Sequence, residues 1–134
     1  MNEKIKNIVY SLVEKNQENS IINICKNENI EIIESEIRSV EGICINCFDD
    51  KFIVLNDSLS PLTRDYVTGH ELGHAKIHDD DLMYLKNISS YNSSRLEYEA
   101  NYFSVCLLYS LKKEYEIESE IDEKIIKEIN KIIY

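Results

Sequence analysis

The sequence predicts an α+β domain in which a short three-stranded sheet packs with helices on its flanks. Three observations carry that expectation. Apolar residues recur at helical spacing at both ends of the chain, β-branched runs lie between them, and 134 residues suffice for one core but not for two. With 43% hydrophobic and 30% charged residues, the composition is that of a folded protein rather than a disordered one, so residues 1–134 are expected to form a single domain.

Ile5, Ile8, Val9, Leu12 and Val13 fall on one helical face, which predicts an amphipathic helix over residues 3 to 16. Ser20 is placed to cap a second, short helix reaching Asn27. Strands follow around Ile30, Ile32 and Ile33, from Gly42 to Phe48 and from Lys51 to Leu55, with Asp49-Asp50 as the hairpin turn between the last two. The breaker Asn56 to Pro61 ends in Ser-Pro, a common helix start, and predicts a helix from Pro61 to His78. Asp79-Asp80-Asp81 is a poor continuation at a negative helix end, and Asn87 to Ser94 reads as a loop before a helix from Ser94 to Lys112. Ile121, Ile125, Ile126, Ile129 and Ile133 mark a final amphipathic helix.

Acidic side chains outnumber basic ones 25 to 15, for a net charge of -10, and a surface of that sign repels a phosphate backbone. Direct nucleic-acid binding is therefore not expected. No stretch reaches the roughly 20 apolar residues of a membrane span, and Glu and Asn interrupt any signal core near the start, so a cytoplasmic protein without membrane association is expected. In that compartment Cys25, Cys44, Cys47 and Cys106 would remain thiols.

His70-Glu71-Leu72-Gly73-His74 is an H-E-x-x-H pattern inside a predicted helix. Four residues advance a helix by just over one turn, so both imidazoles leave one face and can reach one metal ion, with Glu71 beside them as a candidate catalytic base. Zinc, one per chain, suits this donor set best, with iron, cobalt or manganese as the alternatives that ligand type allows.

A catalytic zinc takes a third protein ligand, and Glu97 is the leading candidate for it. Glu97, Ala100, Asn101 and Ser104 share one face of the following helix, where small Ala100 permits close approach and Asn101 can accept the second ring N–H of a ligating histidine. Glu99 is a rival, but it points about 200° away from Glu97 around the helix. Asp80, ten residues after His70, and His78 are the others. His78 is open to three readings: a further ligand, a transition-state donor, or a cation at a helix C-terminus. Cys44-x-x-Cys47 lies in a strand pattern, where residues three apart face opposite sides, and Cys25 and Cys106 read as core thiols. Tyr66, Tyr98 and Tyr102 are weaker candidates for an oxyanion donor.

On these residues the sequence resembles the ImmA/IrrE family of small metallopeptidases, which are often found with prophages and mobile elements. Phe52 to Ser60 looks like the family's strand and turn before the catalytic helix, and His70 to His78 looks like that helix. Glu97 to Ser104, followed by Leu107-Leu108, is similar to its glutamate helix. Tyr109-Ser110 stands where the family commonly has a proline. The resemblance implies a small gluzincin-like domain with Glu97 as third zinc ligand. It also implies a protein partner, a helix-turn-helix transcriptional repressor, that is cut to release silenced genes. Two readings from other classes stand beside hydrolysis: a metal-stabilised module that grips a repressor or toxin without cutting it, and an acidic decoy for a basic DNA-binding surface.

Overall fold

In the computed structural model, residues 2–17, 20–37, 40–47, 49–78 and 90–134 are described, excepting the side chains of residues 90–93. The described elements are α1 (Asn2–Asn16), α2 (Ile21–Asn27), β1 (Ile30–Ser35), β2 (Gly42–Cys47), β3 (Asp50–Asn56), α3 (Pro61–Ile77), α4 (Ser90–Leu111) and α5 (Glu120–Ile133). They form the expected α+β architecture.

Strand β3 is central, parallel to β1 and antiparallel to β2. Strand alternation turns Ile53 and Leu55 wholly inward, while Ile33 and Ile43, the two neighbours of Val54, lie on the exposed outer face. Ser20 caps α2 by accepting from the Asn23 backbone N–H, and Asn29 turns the chain into β1 with a φ of 64°, a left-handed conformation that asparagine tolerates.

Helix α3 lies across the inner face of the sheet and packs most extensively against α4, which α1 covers from the other side. Ile5, Val9 and Leu12 of α1 meet Phe103 and Leu107 of α4 in the same core as Ile53, Leu55 and Leu72. Gly69 and Gly73 let α3 and α4 close: a Cβ on Gly69 would lie 2.6 Å from Ser104 Oγ, and one on Gly73 would lie 3.1 Å from Phe103. Ala100, opposite them, is fully buried. Among the described residues, no helix is long and apolar enough to cross a membrane.

The structure corrects three boundaries. Helix α4 begins at Ser90, so the part of the expected loop from residue 90 to 94 is helical; serine and asparagine cost only a few tenths of a kcal/mol in a helix, and a stable downstream segment propagates through them. Asp50 pairs with Cys47 as the first residue of β3, which leaves Asp49 but not Asp50 in the turn. His78 stands just past α3 as its C-cap, its N–H bonded to the His74 carbonyl. Residues 79–89, Asp80 among them, lie outside the described residues.

Candidate functional site

Pro61 at the first turn starts α3, whose third and fourth turns carry His70, Glu71 and His74 on the side facing the sheet edge and α4. Each of the three offers one ligand atom within 4.8 Å of the others. Their imidazole rings meet edge to face, with centroids 4.8 Å apart.

From α4, Glu97 reaches across to both rings. One carboxylate oxygen lies 3.1 Å from His70 Nε2, and the other lies 2.8 Å from His74 Nε2. The far nitrogens are held from behind: Asn101 Oδ1 is 2.7 Å from His70 Nδ1, and His78 Nδ1 is 2.9 Å from His74 Nδ1. Glu99 faces away from Glu97, as the helical angle requires, and its Oε1 is 3.0 Å from His78 Nε2.

These groups open into a cleft of about 540 Å³, floored by α3 and bounded by the edge strand β2 through Gly42, Ile43 and Cys44. Gly42 is needed there, because a Cβ would lie 2.7 Å from Val67 on α3. Tyr66 also lines the cleft, whereas Tyr98, Tyr102 and His78 do not. Cys44 is half-buried and Cys47 exposed, on opposite sides of β2, while Cys25 and Cys106 sit in the core. Burial pushes the Cys25 thiol up to about 12, which leaves it unreactive at neutral pH.

Charge is concentrated where the three elements meet. Hydrogen bonds from His70 and His74 hold the Glu97 carboxyl well below the usual carboxylate range. Burial works to lower the His70 pKa, but the bond to Glu97 and the charges of Glu71 and Glu97 outweigh it, and the net shift is upward. Glu71 is pushed up by burial and by Glu97, against the pull of both histidines and the Cys44 backbone N–H.

The donor set fits a metal ion. Two Nε2 atoms and a carboxylate converge, each histidine has its other nitrogen already engaged, and Glu97 is half-exposed on the cleft side.

Residues 25–125 match the family model of the IrrE N-terminal-like domain, Peptidase_M78. The chain belongs to this metallopeptidase family. The match spans β1 to β3, α3 and α4, and so takes in every residue that meets at the cleft. A protein of Bacillus phage phi105 described as "Uncharacterized immunity region protein 2" is 30% identical over 106 residues, covering 78% of this chain and 67% of the phage protein.

The pairing of His78 with Glu99 and the glycines that admit α4 were not anticipated from the sequence. A spacing signal for both exists: Gly69 and Gly73 stand at i and i+4 on one face of α3, and His70, His74 and His78 repeat every four residues.

Proposed function

We propose that the protein is a zinc-dependent peptidase that hydrolyses a peptide bond in a specific protein partner, a helix-turn-helix transcriptional repressor of a prophage or mobile element. The observation that carries this reading is the convergence of His70 Nε2, His74 Nε2 and the Glu97 carboxylate beside Glu71 in an open cleft. The family match supports peptidase chemistry, and the phage relative, named for an immunity region, supports a regulatory partner.

In this gluzincin-like arrangement His70, His74 and Glu97 hold one zinc per chain. When bound, the ion supplies Lewis-acid polarisation of the scissile carbonyl and brings the pKa of a water to about 7. With the ion bound, Asn101 Oδ1, 2.7 Å from His70 Nδ1, would accept the hydrogen there and leave His70 Nε2 for the metal. Glu71 is the general base: it takes a proton from the attacking water as the new C–O bond forms, then returns it to the leaving nitrogen as the C–N bond breaks. Its burial, which raises its pKa, makes it a better base than an exposed carboxylate. A cleft of about 540 Å³ holds an extended segment but not a folded domain, so the partner must offer a flexible stretch.

Metal analysis and a gel assay test the reading together. The wild-type chain should carry about one zinc, Glu97→Ala should lose it, and Glu71→Gln should keep it while repressor cleavage falls by about 10² to 10⁴. Undiminished cleavage by Glu71→Gln, or no zinc uptake by the wild type, would sink it.

A further inference from the structure

We propose that Tyr66, Glu41 and Glu128 are specificity-determining residues, framing a side branch of the cleft that takes a lysine or arginine side chain of the substrate. The branch is a cavity of about 210 Å³ bordered by α3, α4 and α5. It shares Glu41, Tyr66 and Asn101 with the cleft that holds the histidines, so a peptide lying in the cleft meets its mouth. Tyr66 stands there because it precedes His70 by four residues and shares its helical face. Ile121 and Ile125 of α5 supply further apolar wall, and Glu128, three residues beyond Ile125, adds its carboxylate to that of Glu41.

The lining matches a long cationic side chain part by part. Such a side chain has an apolar stem and a charged head. The Tyr66 ring and the two isoleucines suit the stem, and an aromatic face also attracts a cation. Glu41 and Glu128 suit the head, because a carboxylate accepts charge-assisted hydrogen bonds from a guanidinium or ammonium. Lys124 borders the cavity too, but one cation against two carboxylates leaves it net negative. The Tyr66 phenol sits in the same field: burial and the charges of Glu128, Glu41 and Glu97 hold its pKa above the ordinary value, and no cation offsets them. A bound zinc would compensate Glu97 but leave Glu41 and Glu128 as they are. Two carboxylates on an open surface would select nothing. Here they border a cavity with room for one side chain, and the cleft brings a peptide to it. An acidic side chain in that place would meet like charge, so the same residues that favour lysine or arginine reject aspartate and glutamate.

This role rests on the peptidase reading, but its first test needs neither zinc nor cleavage. In amide NMR of the metal-free full chain, n-butylguanidinium should shift the resonances of Tyr66, Ile125 and Glu128, and its neutral counterpart n-butylurea should bind about fivefold more weakly or worse. The double variant Glu41→Gln, Glu128→Gln, which keeps the side-chain shapes, should erase that preference. Equal binding of the two compounds by the wild type, or an unchanged preference in the double variant, would refute the role. The zinc-loaded chain supplies the second test, with the hydroxamates of lysine, norleucine and glutamate, whose hydroxamate group anchors on the ion. Lysine hydroxamate should bind about 5- to 10-fold more tightly than the norleucine compound, which lacks the ammonium, and the glutamate compound should bind most weakly. The double variant should bring lysine and norleucine together, and a lysine preference that survives it would overturn the assignment. A wild-type chain that takes up no zinc would instead remove the metal reading and leave the side branch to be judged by the butylguanidinium result.

Discussion

Asp122 is fully buried, yet it remains a carboxylate because its surroundings donate to it: the hydroxyls of Ser60 and Thr63 at 2.6 Å each, and the Glu118 backbone N–H at 2.9 Å. Burial pushes its pKa up and these bonds pull it down more strongly, so the net shift is downward. Replacing it with alanine strands three donors inside the protein, and Asp122→Ala should cost about 2–3 kcal/mol in urea unfolding. A loss below about 0.5 kcal/mol would mean that the donors find other partners. The same residue marks the limit of local reading. His70, Glu71 and His74 were legible because their relation is set within one helix by a fixed spacing. The contacts of Asp122 with Ser60 and of His78 with Glu99 span 62 and 21 residues and exist only once helices have packed. No periodicity announces the Asp122 contacts, and the four-residue repeat of His70, His74 and His78 places His78 on the ligands' face without naming its partner.

Between elements, the approach of α3 to α4 decides whether Glu97 reaches the histidines. Gly69→Ala gains helix propensity of up to about 1 kcal/mol, but its Cβ would meet Ser104 Oγ, which is held by the Tyr66 carbonyl, and the Ser104 backbone at 3.3 Å. The overpacking should win, for a net loss of about 1–3 kcal/mol together with weaker zinc retention, and unchanged zinc affinity would show that the helices need not close so tightly. Glu28 ties three helices together at the end of α2, accepting from Lys76 of α3 and from Lys15 and Asn16 of α1. Burial opposes its ionisation, but these donors hold the carboxyl down to about 2. Since that lies below its unfolded value of about 4.3, the stabilisation is complete above that pH and is lost as pH falls towards about 2. The melting-point gap between wild type and Glu28→Gln should be constant from pH 7 to 5 and close in that acid window; a gap that persists at pH 2 would exclude the linkage. Helix faces and β-branched runs were legible here because period and capping are local properties. The parallel pairing of β1 with β3 was not, because pairing between strands separated by β2 is chosen by the fold as a whole.

For the molecule as a whole, the zinc reading has a consequence for stability as well as for catalysis. The proposed ligands come from α3 and α4, and Glu97 stands 23 residues beyond His74, so the site exists only when the two helices are packed and the unfolded chain has no equivalent. Binding restricted to the folded state adds free energy by mass action: free zinc at a hundred times its Kd contributes about 2.7 kcal/mol. In a chain of this size that should raise the melting temperature by about 10 °C. Zinc titration of metal-free protein should therefore move the melting curve upward, and Glu97→Ala should flatten the response. With a net charge of -10, the metal-free protein also concentrates cations at its surface, so nonspecific zinc must be separated from the site. Magnesium at equal concentration makes that separation, because it screens the same surface charge but keeps its waters rather than accept two imidazoles. A shift produced equally by both ions would reduce the effect to charge screening. A shift specific to zinc and lost with Glu97 would tie the stability of the α3–α4 pair to the ion that its residues are arranged to hold.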